Sequence, residues 1–183
     1  MTRPVSVETL GELAPRLRAG DRVLLSGAIY TARDAAHKRI CALLDEGKPL
    51  PFDLRGAVIY YAGPTPGQKG MAVGACGPTT AGRMDLFAPR LLDLGLLAMI
   101  GKGDRSPEVR EAIVRNGGVY FAAVGGAGAL IAKHIETAEV IAFPELGCES
   151  VKRMRVRDLP LTVAIDCAGR DLYLTGREEY RRG

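Results

Sequence analysis

Short apolar runs rich in β-branched residues recur along the chain, and most are bounded by Gly, Pro or Asp. Such runs are typical of buried β-strands, because β-branched side chains pack well on a pleated surface and Gly and Pro end strands. The pattern therefore predicts six strands, at Val23–Leu25, Val58–Tyr61, Leu96–Ile100, Val119–Val124, Val140–Phe143 and Leu161–Ile165.

Three segments between these runs carry the pattern of helices. The clearest one follows Ser106, a good N-cap residue, with Pro107 at the first helical position and an Asn-Gly pair to stop it. Another ends near Gly47, since glycine readily adopts the left-handed cap conformation. The predicted helices lie at about residues 36–47, 107–116 and 127–138.

The last part of the chain, from Val151 to Tyr173, predicts strands joined by turns at residues 158–160 and 167–169. Strands that alternate with helices are typical of an α/β domain. No internal repeat or low-complexity linker interrupts the sequence, so we expect residues 1–183 to form a single α/β domain.

Composition narrows the class of protein without changing this prediction. The chain has 183 residues, 47% hydrophobic and 25% charged, which excludes a disordered or fibrous protein. The net charge is +4, but no aromatic residue interleaves with a basic stripe, so we expect no nucleic-acid binding. The longest apolar stretch, Leu94–Ile100, is too short to span a membrane, and the N-terminus has no apolar signal segment.

The four cysteines, at positions 41, 76, 148 and 167, form no CxxC pair, and the two histidines lie 97 positions apart. This spacing argues against a zinc site or an iron–sulfur cluster held by this chain alone, and we expect it to supply no metal ligands. Scattered cysteines without a disulfide framework are typical of reduced thiols. We therefore expect a cytoplasmic protein.

Glycine-rich loops follow most of the predicted strands, which is where ligands bind in α/β sheets. The loop around Lys102 lacks the GxxxxGK(S/T) spacing of a P-loop, and the glycines around Gly126 do not complete a GxGxxG motif. Both nucleotide-binding motifs are therefore excluded.

Cationic side chains stand beside these loops at three predicted strand ends. Arg33 opens a helix, and Lys102 lies between two glycines. Thr79 and Arg83 are four residues apart where a Gly-Pro pair leads into a helix, which would place them on one face. Free N–H groups beside guanidinium groups favour carboxylate or phosphate, so these residues predict a small anionic ligand. The alternative is that both arginines are surface or ion-paired side chains.

The segment Gly77-Pro-Thr-Thr-Ala-Gly-Arg-Met-Asp85 closely resembles a signature of the class I, iron–sulfur-dependent fumarate hydratases. The resemblance runs from about Leu10 to Tyr173 and corresponds to the C-terminal domain of the one-chain enzymes, or to the β subunit of two-chain enzymes. It implies a single swivelling β/β/α domain. The other matching stretches are Ser26-Gly-Ala-Ile-Tyr-Thr-Ala-Arg-Asp-Ala-Ala-His37, Tyr61-Ala-Gly-Pro-Thr-Pro66, Ile100-Gly-Lys-Gly103, Gly125-Gly-Ala-Gly-Ala-Leu130 and Glu145-Leu-Gly-Cys-Glu149.

The resemblance implies the reversible hydration of fumarate to (S)-malate. It implies that Arg33, Arg83 and Lys102 bind the substrate carboxylates and that Thr79 takes part in proton transfer. In this family a [4Fe-4S] cluster is held by three cysteines of the other domain or subunit. We therefore expect a hetero-oligomer with an α subunit that carries the cluster, inactivity of this chain alone, and a possible homodimer of the isolated chain.

Two other functions stay open. One is the β subunit of L(+)-tartrate dehydratase, which belongs to the same family as the β subunit of fumarate hydratase. The other is a non-catalytic module that binds a dicarboxylate or tunes a partner enzyme.

Three residues beside the matching motifs have competing interpretations. Asp34 either caps its helix, which we favour, or orients Arg33. His37 either lines the pocket or is a helix-packing or surface histidine. Cys76 is interpreted as a small buried thiol, because one cysteine cannot hold a cluster.

Overall fold

A computed structural model describes residues 2–179 and 181 of the chain. None of the helices in this part of the chain is long and apolar enough to cross a membrane. The strands are β1 (Thr2–Ser6), β2 (Arg22–Thr31), β3 (Val58–Tyr60), β4 (Ala98–Gly101), β5 (Val119–Ala122), β6 (Ile135–Ala142) and β7 (Val151–Ile165). The α-helices are α1 (Leu10–Leu13), α2 (Asp34–Asp45), α3 (Ala88–Asp93), α4 (Pro107–Asn116), α5 (Gly128–Ala132) and α6 (Leu172–Glu179).

The strands form a seven-stranded sheet in the order β1-β2-β3-β4-β5-β7-β6, and a further pairing joins β2 to β7. That pairing closes β2, β3, β4, β5 and β7 into a small barrel. Strands β2 to β5 run parallel to one another, whereas β7 runs antiparallel to β2, β5 and β6. The carboxyl ends of β2 to β5 therefore meet at one end of the barrel.

Alternate residues of the barrel strands pack into its interior, because successive side chains of a strand point to opposite faces. The interior is apolar and fully buried, and each large side chain there contributes about 1.5–3 kcal/mol by leaving water. Its members include Val23, Leu25, Ile29, Val58, Tyr60, Ile100, Phe121, Met154 and Val163.

A second apolar core lies between the outside of the barrel and helices α2, α3 and α4. Ile59, Met99 and Tyr120 alternate with the interior residues along their strands and meet Ile40 of α2 and Ile113 of α4 in this layer. The arrangement of sheet and covering helices confirms the predicted α/β class.

The predicted helix at residues 127–138 is wrong in its second half. Helix α5 ends at Ala132, and residues from Ile135 onward form β6, which pairs antiparallel with β7. Residues 135–142 include four β-branched side chains, which favour a strand once a partner strand is present. Pairing with a distant strand therefore outweighs the helical spacing.

The predicted turn at residues 158–160 is an irregularity inside one long strand. Leu25 pairs with Leu159 and Gly27 with Val156, so β7 has one extra residue opposite Ser26 and continues beyond it. Asp158 adopts a positive φ of 50°, and its N–H donates to Ser26 Oγ at 2.9 Å. A β-bulge replaces the turn.

Candidate active site

The four predicted site residues lie near the carboxyl ends of three parallel strands. Arg33 comes two residues after β2 ends, and Lys102 directly follows β4. Thr79 is tied to the end of β3, since its N–H donates to the carbonyl of Tyr61 at 2.7 Å. The topology therefore brings residues from three separate parts of the sequence to one end of the barrel.

The signature segment lies against the chain that follows β3 and β4. The N–H of Lys102 donates to the carbonyl of Thr79 at 3.3 Å, and the N–H of Ala81 donates to the carbonyl of Lys102 at 2.8 Å. The expected helix that would carry Thr79 and Arg83 on one face is therefore wrong. Pro78 and Thr80 form isolated β-bridges with Ala62 and Lys102, and only Ala81–Met84 form a single 3₁₀ turn.

Arg83 is oriented by a carboxylate from α2. Its Nε donates to Asp34 Oδ1 at 3.0 Å, and its Nη2 lies 2.8 Å from Asp34 Oδ2 in ion-pair contact. The Arg83 side chain is 52% exposed and that of Asp34 is 23% exposed, so the guanidinium stands at the protein surface. Asp34 is the first residue of α2, its side chain does not cap the helix, and the capping interpretation is wrong.

Arg33 is held in a more buried position. It occupies the N-cap position of α2 with an extended backbone, and its Nη2 lies 3.2 Å from Glu149 Oε1. The backbone at Gly63 lies close to the same guanidinium, because a Cβ there would sit 3.1 Å from Arg33 Nη1. Arg33 Nε is buried and has no hydrogen-bond partner among the described residues.

Lys102 and Thr79 complete the cluster. Lys102 Nζ donates to Thr80 Oγ1 at 3.3 Å, which directs the ammonium group toward the signature segment. Thr79 is partly buried. No base within the described part of the chain hydrogen-bonds its hydroxyl. A threonine hydroxyl is a weak base without such a partner.

His37 packs within the protein. Its ring is fully buried, with Nδ1 2.9 Å from the carbonyl of Arg33 and ring centroids 5.4 Å from Tyr61 and 5.7 Å from Phe87. Burial lowers the pKa of His37 to about 4, so the ring is neutral near pH 7. The packing interpretation is therefore the one that the structure supports.

A buried ion pair beneath the site was missed by the sequence reasoning. The Arg105 side chain is fully buried, and its Nε donates to Asp85 Oδ1 at 2.7 Å. Asp85 Oδ2 accepts the N–H of Ser106 at 2.6 Å, and the Arg105 guanidinium lies over the rings of Tyr61 and Tyr120. Asp85 belongs to the signature segment, but its pairing with Arg105, 20 positions later, depends on the tertiary structure and is not indicated by a local sequence pattern.

The described residues do not fit a metal or an iron–sulfur cluster. Within residues 2–179 and 181, no three His, Cys, Asp or Glu side chains come together in a way that could hold a metal ion. Cys76 is buried in the barrel interior, and burial raises the pKa of its thiol to about 12, as expected for a packing residue.

The arrangement presents three cations at one end of the barrel. Both arginines are ion-paired, as the alternative interpretation expects, but their carboxylate partners hold them beside the same strand ends as Lys102. Guanidinium groups kept in fixed orientations can bind the planar oxygens of a carboxylate. The geometry is thus suited to a small ligand with carboxylate groups.

Comparison with known proteins gives a consistent result along nearly the whole chain. A family model described as Fumarase C-terminus matches residues 3–176. The chain is 42% identical over 156 residues to Fumarate hydratase 2 of Leishmania major, covering 84% of this chain and 28% of that protein. It is 38% identical over 175 residues to Fumarate hydratase class I, anaerobic, of Escherichia coli (strain K12), covering 94% of this chain and 32% of that protein.

A shorter relative is matched over most of its length. The chain is 38% identical over 164 residues to the "Putative L(+)-tartrate dehydratase subunit beta" of Methanocaldococcus jannaschii, covering 86% of this chain and 84% of that protein. The chain thus spans about a third of the two fumarate hydratases and most of the β subunit.

Proposed function

Because the chain belongs to the Fumarase C-terminus family, we propose that it supplies the substrate-carboxylate-binding half of a fumarate hydratase active site. The reaction is the reversible addition of water to fumarate, which gives (S)-malate. The observation that carries this proposal is the placement of Arg33, Arg83 and Lys102 at one end of the barrel. Three cations there suit a substrate with two carboxylates.

Each cation has a distinct part in this proposal. Arg33 and Arg83, which are ion-paired with Glu149 and Asp34, offer guanidinium N–H groups, and Lys102 adds a compact positive charge beside Thr80. Holding both carboxylates fixes the carbon–carbon double bond relative to the attacking water, and such positioning lowers the barrier by removing orientational freedom.

Thr79 is proposed to take part in proton transfer at the carbon beside a carboxylate. Dehydration removes a proton from one carbon of malate and the hydroxyl from its neighbour, and hydration reverses both. Since no group in the described residues activates the Thr79 hydroxyl, its activation is proposed to come from the substrate or the partner.

The [4Fe-4S] cluster is proposed to be held by a partner α subunit or domain, because the described residues of this chain do not fit it. The half-exposed Arg83 supports a site that is completed by another surface. The match to most of a β subunit supports a two-subunit enzyme. This chain alone is proposed to be inactive, and its cytoplasmic location remains a prediction.

The experiment that tests the proposal is anaerobic reconstitution with the α subunit, followed by assay of fumarate hydration and malate dehydration. Arg83→Ala is expected to lower kcat/KM by about a hundredfold, because it removes a charged donor to the substrate. Arg90→Ala is the matched control, since Arg90 of α3 forms a similar exposed pair, at 2.6 Å, with Asp45 at the opposite end of α2 from Asp34. Equal activity of the Arg83→Ala and wild-type enzymes would contradict the proposed role.

A tartrate dehydratase is the second candidate, favoured by the match to the Methanocaldococcus jannaschii relative. The reconstituted pair is assayed with fumarate and with L(+)-tartrate side by side. Turnover of tartrate without turnover of fumarate would assign the tartrate reaction to this pair.

The third alternative is a non-catalytic module that binds a dicarboxylate. In that case Arg83→Ala is expected to weaken dicarboxylate binding while the activity of the partner subunit persists.

A further inference from the structure

The segment Pro144–Glu149 contains a motif to which the proposed function assigns no role, and its last residue, Glu149, contacts the start of α2. Glu149 uses both carboxylate oxygens there. Oε1 lies 3.2 Å from Arg33 Nη2, and Oε2 accepts the N–H of Ala35 at 3.4 Å. One carboxylate thus links the Arg33 side chain to the first turn of the helix that carries it.

Glu149 is itself held firmly by the chain around it. Lys152 Nζ donates to the carbonyls of Gly147 and Cys148 at 3.1 and 3.2 Å and to Ser150 Oγ at 2.6 Å. The buried Thr31 Oγ1 donates to the carbonyl of Ser150 at 3.3 Å. The segment is therefore anchored to the end of β2, the same strand that leads into Arg33.

These contacts leave Arg33 little freedom. Its Nη2 faces Glu149, its Nη1 lies against the backbone at Gly63, and its Nε is buried. A free arginine samples many rotamers, and fixing one of them in advance reduces the entropy lost when a ligand binds. The second contact of Glu149, to the Ala35 N–H, keeps the carboxylate in place independently of Arg33.

We propose that Glu149 is a positioning residue that fixes the guanidinium of Arg33 for a substrate carboxylate. The expected effect on kinetics rests on the proposed function. The effect of Glu149 on the orientation of Arg33 can be tested even if the proposed function is wrong. The alternative is that Glu149 only forms an ion pair with Arg33, which the substrate carboxylate replaces. The two alternatives predict opposite changes in the KM of a variant without the charge of Glu149. If Glu149 is only a competitor, removing its negative charge strengthens the attraction of Arg33 for a dianion and lowers KM.

The first test measures Arg33 directly in the full chain by NMR. The 15Nε–H signal of Arg33 is assigned from its loss in Arg33→Lys, and its exchange with solvent is compared between variants. Glu149→Gln is expected to speed that exchange at least tenfold. Glu145→Gln is the matched control, because Glu145 lies in the same segment but pairs with the exposed Arg39. Unchanged exchange in Glu149→Gln would overturn the proposal.

The second test uses the reconstituted enzyme. Glu149→Gln is nearly isosteric and still accepts the Ala35 N–H, so it changes the charge while preserving the shape. We expect kcat/KM for fumarate to fall about tenfold, chiefly through a higher KM, as for loss of a hydrogen bond between charged groups. Glu145→Gln is expected to match wild type. A lower or unchanged KM in Glu149→Gln would overturn the positioning role.

Failure of the two proposals can be told apart. If the wild-type pair hydrates neither fumarate nor tartrate, the proposed function fails, and the exchange measurement still decides whether Glu149 fixes Arg33. If wild type is active and Glu149→Gln behaves like Glu145→Gln in both tests, only the inference about Glu149 fails.

Discussion

At the scale of single residues, the site depends on partners that the sequence pattern does not reveal. The resemblance singles out Arg33 and Arg83, but Asp34 and Glu149, which orient them, come from a helix start and a distant segment. The expected cap at Asp34 was wrong because its carboxylate reaches Arg83, 49 positions away in sequence. Residue types and spacing identify which side chains carry charge, whereas tertiary structure decides what each charge meets.

His37 makes folding stability depend on pH. Its folded pKa of about 4 lies below the ordinary value of 6.5, because burial disfavours the charged ring. The unfolded chain therefore binds more protons between these values, and stability falls as pH drops from 6.5 toward 4. We expect a loss of about 3 kcal/mol in the free energy of unfolding over this range.

Urea titrations at several pH values check this prediction. His37→Asn removes the titrating group, so its stability should vary less with pH over the same range, although it starts lower because the ring no longer packs on Tyr61 and Phe87. Parallel pH profiles of variant and wild type would exclude His37 as the source.

At the scale of helices and strands, local signals were reliable only where local contacts decide the outcome. Helix α4 begins and ends as predicted, since Ser106 Oγ accepts the N–H of Val109 and Gly117 adopts a left-handed φ of 64°. The first half of β6 and the signature segment are wrongly predicted to be helical, whereas the predicted strand at Val140–Phe143 overlaps the end of β6. Their backbone groups pair with β7 and with the residues around Lys102, and such pairing is not visible in a local pattern.

The ion pair Asp85–Arg105 connects the signature segment to the start of α4. We expect its loss to lower the free energy of unfolding more than the loss of an exposed ion pair. Asp85→Asn leaves the fully buried Arg105 guanidinium without its counter-charge, and we expect a loss of about 3 kcal/mol in the free energy of unfolding. Asp93→Asn is the control, since it breaks the exposed Arg115 pair on the neighbouring helices. Equal losses in urea unfolding would show that burial of Arg105 has no such consequence.

At the scale of the whole molecule, the barrel end carries charge but lacks a metal-binding group within the described residues. The α/β class was predictable from alternating strands and helices, but closure of the barrel was not. Closure depends on the pairing of β2 with β7, in which even the pair nearest in sequence, Thr31 and Lys152, lies 121 positions apart. No local pattern encodes a contact of that separation.

The assignment of the cluster to a partner gives a prediction for the isolated chain. Purified under nitrogen, it is expected to contain neither stoichiometric iron nor sulfide, and iron should appear only in the complex with the α subunit. Metal and acid-labile sulfide analysis of both samples makes the comparison. Stoichiometric iron and sulfide in the chain alone would contradict the proposed division between subunits.

The contact between Thr31 and the backbone of Lys152 also bears on when the site can form during folding. Arg33 follows β2 early in the chain, whereas Glu149 and the strand that anchors it are synthesised more than a hundred residues later. Contacts between residues so far apart in sequence are expected to form late, because the entropy of closing a long loop is lost before the contact contributes stabilising free energy. We therefore expect the side chain of Arg33 to become oriented only after β7 has paired with β2.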